Sequence, residues 1–570
     1  MVGKLDRVSK PLCGLMVALL AGLAGCGEKV ENRLADYETP YDADSFLSRN
    51  LHPTVHFPSG LTLNFPGYVV GIEKISRSHI GPDPAVVNKY LITKGANAAD
   101  DEDLQDLRGK LFREPKAMAV THILRYASIG AKSPQPDGKA VDSSLPGRID
   151  ACFLYSIYEE RDHSKPEAAG QAPSRPCPAA IGNDEIDVTK PGNPLDVPAR
   201  ANAWEHGLRA LDRLADYAKA DIAKSAETDR PYTHLLVFSM GWNTDQFEAL
   251  RNFNSIANEF ARAVEGCPIP GDKYCVAAHK VRPLVIVITW PSLWDWSNLL
   301  AVGGFDVLAK LASFPIKASD AREVGFGPAN YLINKALAGI VADPTLKEKL
   351  KAKNVDLKVV GVGHSFGARL LAQAARSARY LAPGLRPAGT GGLDTFFALQ
   401  GAFEIDRLFD GDGGRHSCAT PTRQLAEGFN RVVLTASSKD AAVNLAFFGT
   451  YAGQHDGYTA SKEKPAYCGL FTQATMDKDG ACLNLNGTRQ ACATLAPLPK
   501  SASPDKHPPV LYLDASNSIQ YNTHRTGGGA HSDIYRENVG RVLASLLNSE
   551  DTLADCPPAY KGLRVFCRPP

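Results

Sequence analysis

The sequence lacks an excess of charge of either sign. Its 570 residues include 63 Lys and Arg against 62 Asp and Glu, so the formal net charge is +1. Proteins that bind nucleic acid carry a clustered basic surface, so this balance argues against a nucleic-acid partner. CxxC motifs and Cys/His metal spacings are also missing. Their absence disfavours zinc, and no metal or organic cofactor is expected.

A long apolar run is missing at the N-terminus. The apolar stretch Pro11–Leu23 is shorter than the ~20 residues that a membrane-spanning helix needs. Basic residues precede it, and Leu23-Ala24-Gly25-Cys26 follows. This pattern resembles a bacterial lipoprotein signal, in which the cysteine is lipidated. A plain secretory peptide or an uncleaved anchor is the alternative.

The lipoprotein interpretation defines the first two segments. Residues 1–25 are then a signal peptide, and 26–58 form a tether from Cys26. A lipid-bearing Cys26 would anchor the protein to a bacterial envelope membrane without spanning it. Because Gly27 rather than Asp follows the cysteine, the resemblance implies sorting to the outer membrane.

Export predicts oxidised cysteines. Apart from Cys13 and Cys26, the 12 cysteines leave an even number, enough for up to five disulfides. Sequence alone leaves the connectivity open. The simplest expectation pairs nearest neighbours: Cys152–Cys177, Cys267–Cys275, Cys418–Cys468, Cys482–Cys492 and Cys556–Cys567.

The chain divides by its patterning. Residues 59–198 are rich in β-forming stretches (Leu61–Ile75, Ala119–Ser128 and Arg148–Tyr158), and the charged segment Asp100–Arg113 is helical in character. A Pro-, Gly- and Ala-rich loop, Ser164–Pro198, ends this part.

Strands alternate with helices over residues 199–547. The predicted strands are His234–Ser239, Leu284–Thr289, Leu357–Val362, Phe396–Gly401, Arg431–Thr435 and Val510–Leu513. The predicted helices are Ala199–Ala226, Gln246–Val264, Ala329–Leu350, Ala368–Arg379 and Ile534–Leu547. Apolar strands in this alternation predict an α/β fold whose mostly parallel sheet has helices on both faces, with antiparallel edge strands from the β-rich start. Phe448–Lys506 is expected to be a disulfide-pinned insertion outside the core, and 548–570 a cysteine-containing tail.

A G-x-S-x-G motif lies at one strand-to-helix junction, in the segment VVGVGHSFGAR (Val359–Arg369). A nucleophile elbow needs such a tight turn, and glycines on both sides of Ser365 leave room for it. The alternative is that Ser365 only caps the following helix.

Other strand ends supply the partners that a nucleophile needs. The loop after His234–Ser239 contains Gly241 and Trp242, and the N–H groups of Trp242 and Phe366 are the expected oxyanion-hole donors. Asp440 follows another strand and is the predicted acid, with Asp406 as its rival. His531 follows the last strand after a glycine run and is the predicted base, with His524 as its rival.

The order Ser365, Asp440, His531 is that of the α/β-hydrolase triad. Together, the motifs MGWN, TWPS, GHSFG, SSKD and GAHSDIY resemble a bacterial family of uncharacterised α/β-hydrolases. Met240 stands where that family usually has a histidine. The resemblance covers roughly residues 199–547 without the insertion and implies the triad roles named above.

These observations predict an exported, lipid-anchored serine hydrolase of the α/β-hydrolase fold. Its expected substrate is a small-molecule or lipid ester, cleaved through an acyl-enzyme. An amidase or thioesterase would use the same triad, and a non-catalytic surface protein with this fold is the alternative from another class.

Overall fold

A sheet of 12 strands organises the protein. The structure is a computed structural model that describes residues 66–76, 84–92, 102–114, 116–126, 151–156, 203–241, 281–292, 306–387, 392–410, 420–421, 428–444, 451–455, 458, 471–477, 482–490, 492–498, 508–520 and 530–547, with helical positions between 249 and 263. The predicted signal peptide, the tether with Cys26 and the C-terminal tail lie outside these ranges.

The strands of this sheet come from almost the full length of the described chain. In chain order they are β1 (Gly67–Ser76), β2 (Lys116–Tyr126), β3 (Ala151–Ser156), β4 (His234–Ser239), β5 (Pro283–Thr289), β6 (Lys358–His364), β7 (Thr395–Leu399), β10 (Val432–Ala436), β11 (Phe471–Met476), β12 (Cys482–Asn484), β13 (Arg489–Gln490) and β14 (Val510–Asp514). The short strands β8 (Phe409–Asp410) and β9 (Thr420–Pro421) pair separately.

The sheet is mostly parallel. Its order is β13-β12-β11-β14-β10-β7-β6-β4-β5-β1-β2-β3. The strands from β11 through to β1 in this order all run parallel. At one edge, β2 pairs antiparallel with β1 and β3 with β2; at the other, β12 pairs antiparallel with β11 and β13 with β12. The predicted α/β class and the antiparallel edge from the β-rich start are therefore confirmed.

Helices complete the layers. They are α1 (Pro84–Tyr90), α2 (Glu102–Phe112), α3 (Ala203–Ala226), α4 (Asp306–Phe326), α5 (Pro328–Tyr331), α6 (Ala338–Ala342), α7 (Pro344–Lys351), α8 (Phe366–Arg376), α9 (Ala441–Asn444), α10 (Cys492–Leu495) and α11 (Glu537–Leu547). A π-helical segment, Leu332–Leu337, joins α5 to α6, and 3-10 turns lie at Ser377–Tyr380 and Ile405–Leu408.

Both faces of the sheet are covered, which explains the apolar character of the central strands. All residues of β4, β5, β7 and β10 are buried. On one face, α3, α4 and α8 pack against alternate strand residues such as Val237 and Val359. On the other, α11 and helical residues between 249 and 263 pack against residues such as Phe238 and Val360. A strand covered on both sides needs apolar residues at every position.

The described strands within Phe448–Lys506 belong to the sheet, so the prediction that this segment lies outside the core is wrong. It supplies β11, β12 and β13, and β11 pairs in parallel with β14. Its apolar signal is weak because only alternate residues of β11 are buried, including Ala474 and Met476. The Cys482–Cys492 disulfide, with a Cα–Cα distance of 5.1 Å, ties β12 to α10 as predicted. Each of the other four predicted pairs has at least one cysteine outside the described residues.

A cluster of buried charges joins the N-terminal strands to α4. Lys74 on β1 donates to Asp320 Oδ1 at 2.9 Å. The backbone N–H of Met118 on β2 donates to Glu323 Oε1 at 2.7 Å. Burial raises the pKa of Glu323 to about 7, although the neighbouring Lys110 and Lys74 oppose this shift. The cluster therefore contains a carboxyl group that titrates near neutrality.

No helix in the described part of the chain is both long and apolar enough to span a membrane.

Candidate functional site

The site lies at the carboxyl ends of the parallel strands, where loops from adjacent strands converge. Ser365 directly follows β6, Gln400 directly follows β7, and Asp440 follows β10. Strand β7 lies between β6 and β10 in the sheet, so Gln400 sits between the predicted nucleophile and the predicted acid. His531, in the described residues before α11, lies at the same ends of the strands, against Asp440.

Ser365 adopts a strained backbone conformation at the strand-to-helix turn. Its φ of 54° and ψ of −121° lie outside the regions that L-residues favour. Two glycines make this turn possible. A Cβ on Gly363 would lie 2.5 Å from Ala368 Cα, and one on Gly367 would lie 2.0 Å from Ser239 O. Strain of this kind holds the serine of a nucleophile elbow above the sheet.

The capping alternative for Ser365 is not what the structure contains. Ser365 occupies the N-cap position of α8, but its side chain makes no capping hydrogen bond. Its backbone is held instead by the neighbouring loop: Ser365 N donates to Leu399 O at 3.0 Å, and Ala402 N donates to Ser365 O at 3.1 Å. The hydroxyl is thus not used to cap the helix.

Asp440 and His531 are hydrogen-bonded although 91 residues separate them. His531 Nδ1 lies 2.8 Å from Asp440 Oδ2. Because an ionised carboxylate only accepts hydrogen bonds, Nδ1 carries the proton and Nε2 is left as the basic nitrogen. The N–H of Ala530 donates to Lys439 O at 2.9 Å and fastens the two loops together. The His531 tautomer with its proton on Nδ1 is the one that a general base in a triad requires.

The carboxylate of Asp440 is fully buried and is held by donors on both oxygens. Gln400 Nε2 donates to Oδ2 at 2.9 Å, and the backbone N–H of Val443 donates to Oδ1 at 3.1 Å. With the His531 ring, the carboxylate accepts three hydrogen bonds in the described region. Donors of this kind offset the cost of burying a negative charge.

His364, the residue before Ser365, contacts His531. Its Nε2 lies 3.0 Å from His531 O, and the two ring centroids are 4.7 Å apart. Burial, together with the nearby His531 ring, lowers the pKa of His364 well below its ordinary value. The ring is therefore neutral near pH 7. Because a carbonyl can only accept, Nε2 carries its proton and donates it to His531 O.

The loop after β4 lies directly against Ser365. A Cβ on Gly241 would be 2.5 Å from Ser365 Cβ and 3.0 Å from its Oγ. The indole of Trp290 donates to Met240 O at 3.0 Å and holds this loop in place. Met240 is buried in the core.

Of the two predicted oxyanion donors, one is in the described structure. Phe366 is the first residue of α8, so its N–H lies in the N-terminal turn of the helix. Trp242 lies outside the described residues. The N-terminal end of a helix carries partial positive charge, which suits a developing oxyanion.

The two rival residues are not part of the contacts described above. Asp406 lies in the 3-10 turn Ile405–Leu408, and its side chain is outside the described set, as is all of His524. The sequence did not predict the hydrogen bond from Gln400 to Asp440 or the contact between His364 and His531. Gln400 carries one signal in retrospect, because a lone polar residue directly follows the apolar run of β7.

Among the described residues, no group of three or more His, Cys, Asp or Glu is arranged to hold a metal ion. No known protein family, curated protein or solved structure matches this chain.

Proposed function

We propose that this protein is a serine hydrolase of the α/β-hydrolase fold that cleaves carboxylic esters. The observation that carries the proposal is the Asp440–His531 hydrogen bond at 2.8 Å. It forms at the carboxyl ends of the parallel strands, where Ser365 occupies a strained turn. The glycine contacts around Ser365 and the close approach of the Gly241 loop support it. The exported, lipid-anchored location through Cys26 remains part of the proposal.

In this mechanism, His531 Nε2 takes the proton of Ser365 as Oγ attacks the ester carbonyl carbon. The N–H groups of Phe366 and Trp242 stabilise the oxyanion, and the ionised Asp440 stabilises the imidazolium. The C–O bond breaks, and the imidazolium protonates the leaving alkoxide. Water then attacks the acyl-enzyme with His531 again as base, releasing the acid and the free serine.

The test is turnover of a panel of p-nitrophenyl esters with acyl chains of increasing length. Ser365→Ala should lower kcat by about 10⁶-fold. Ser377→Ala is the matched control: Ser377 is a buried serine at the opposite end of α8, and its hydroxyl donates to Gln373 O at 2.7 Å. The control should lose some stability and keep its turnover.

Equal turnover by the wild type and Ser365→Ala would contradict the proposal. A panel extended to matched amides and thioesters separates an esterase from an amidase or thioesterase. A well-folded wild type that turns over none of these and does not react with a fluorophosphonate would point to the non-catalytic surface protein.

A further inference from the structure

Gln400 donates to the acid of the site on the same oxygen as the histidine does. Its Nε2 donates to Asp440 Oδ2 at 2.9 Å, on the same oxygen that accepts the His531 Nδ1 proton. The side chain is fully buried. Because an ionised carboxylate accepts only, the amide nitrogen, not the amide oxygen, must face Asp440.

Thr435 contacts both the backbone and the side-chain amide of Gln400. Its hydroxyl accepts from the backbone N–H of Gln400 at 3.0 Å, and its one proton can reach either Gln400 Oε1 at 3.2 Å or Ala398 O at 3.3 Å. Both residues stand at the carboxyl ends of adjacent strands, β7 and β10. The charge on Asp440 thus sets the amide orientation, and the register of these strands places Thr435 beside it.

The backbone of Gln400 is in an energetically unfavourable conformation for an L-residue. Its φ is 48°, in the left-handed region. Left-handed backbone costs an L-residue roughly 1–2 kcal/mol. Gly453 packs against this backbone so closely that a Cβ there would lie 2.5 Å from Gln400 C. The strained backbone is thus enclosed by its neighbours and directs the amide at the acid.

We infer that Gln400 is a positioning residue for the triad, acting through Asp440 on the basicity of His531. This inference rests on the proposed function and adds a residue to it. The Gln400 N–H draws negative charge from Oδ2, so Asp440 stabilises the imidazolium less strongly than a carboxylate with one donor fewer. His531 then loses its proton at a lower pH, which extends the active range of the base towards acid.

The test replaces the amide with an apolar side chain of similar length, Gln400→Met. The readout is the pH midpoint of the His531 ring, followed by NMR in protein labelled at histidine and assigned with His531→Ala. We expect the midpoint to rise by roughly half a unit to one unit. The acid limb of the kcat/KM profile should move by the same amount, and kcat should fall about tenfold to a hundredfold.

Gln373→Met is the matched control. Gln373 is a buried glutamine on α8 whose Nε2 donates to Ser377 Oγ at 3.0 Å, away from Asp440. It should lower the melting temperature and leave the His531 midpoint unchanged. If Gln400→Met does not fold, Thr435→Val removes the hydroxyl that contacts Gln400 Oε1 and should raise the His531 midpoint by a smaller amount.

A His531 midpoint that stays fixed or falls in a folded Gln400→Met or Thr435→Val protein overturns the inference. The ring titration does not depend on turnover. Failure of this inference therefore differs from failure of the proposed function, which would appear as a wild type that neither hydrolyses esters nor reacts at Ser365.

Discussion

Gly241 lies against Ser365 so closely that a Cβ on the glycine would sit 2.5 Å from the serine Cβ. Gly241→Ala must therefore displace either the nucleophile or the loop that leads to the predicted oxyanion donor Trp242. We expect kcat to fall by about a hundredfold or more, because a shift of ~1 Å at the reacting group has that effect. Steady-state kinetics on the best ester of the panel measures it.

Gly339→Ala is the control for this prediction. Gly339 lies in α6, and a Cβ there would meet nothing within 4 Å. This variant should keep full activity and gain about 0.5–1 kcal/mol of unfolding free energy, because alanine favours the helix. Equal activity of the two variants would mean that the Gly241 loop is not part of the site.

Asp440→Asn should lower kcat by about 10⁴-fold. Asparagine carries no negative charge to stabilise the imidazolium, and either orientation of its amide sets an N–H group against at least one donor that Asp440 accepts from. Asp394→Asn is the matched change at a part-buried carboxyl just before β7, at the opposite end of the strands, where Asp394 Oδ2 accepts from Val359 N at 2.8 Å. It should cost stability and retain turnover. A modest loss for Asp440→Asn, like that of the control, would argue for another acid.

His364→Phe removes the donor to His531 O and places a ring of similar size in the same space. Leaving this part-buried carbonyl unpaired costs at most about 1–3 kcal/mol. Without this hydrogen bond, the backbone at His531 should shift. We then expect kcat to fall roughly tenfold or more while KM changes little. Parallel measurement of kcat, KM and melting temperature checks this. A variant with wild-type kcat would show that the His364 contact does not position the base.

Glu323 should make the fold less stable as pH rises. Its pKa is raised to about 7 from an ordinary value of 4.5, mainly by burial, so the folded state holds the proton more tightly than the unfolded state does. Its contribution to unfolding free energy is therefore lost between about pH 4.5 and 7, by up to about 3 kcal/mol. Glu323→Gln should flatten this slope in urea unfolding at several pH values. An unchanged slope would contradict the assignment.

Asp320→Asn tests a carboxyl group in the same cluster whose pKa is shifted in the opposite direction, downwards. Burial alone would raise the pKa of Asp320, but Lys74, Lys317 and Lys110 outweigh it and lower the pKa. Its stabilisation is therefore present above the ordinary value of 3.8 and is lost as pH falls through the lowered value. We expect Asp320→Asn to cost about 3–5 kcal/mol near pH 7 and less at strongly acid pH. A deficit that does not shrink in acid would contradict this.

The central sheet was predictable because strands covered on both faces carry uninterrupted apolar runs. Strand β4 coincides with its predicted bounds, and β5, β6, β7 and β10 begin or end within two residues of theirs. Strand β11 was not predictable, because it lies near the edge and buries only alternate residues. Its pairing with β14 depends on tertiary structure rather than on local pattern.

The order of the site residues was predictable from strand ends, and their contacts were not. Asp440 and His531 were predicted from separate loops, and the structure joins them by a hydrogen bond. The role of Gln400 required knowing that β7 lies beside β10 and that the backbone at Gln400 turns left-handed. The contact between His364 and His531 O depends likewise on the path of a distant loop.

The most direct test of the central claim is the site of reaction with a fluorophosphonate. Trypsin cleaves after Lys358 and Arg369 and releases Val359–Arg369, in which Ser365 is the only hydroxyl-bearing residue. Mass spectrometry of the folded protein should find the adduct on this peptide, and urea-unfolded protein should not form it. A folded protein that leaves this peptide unmodified, or an adduct that forms equally fast after unfolding, would contradict the claim that Ser365 is an activated nucleophile.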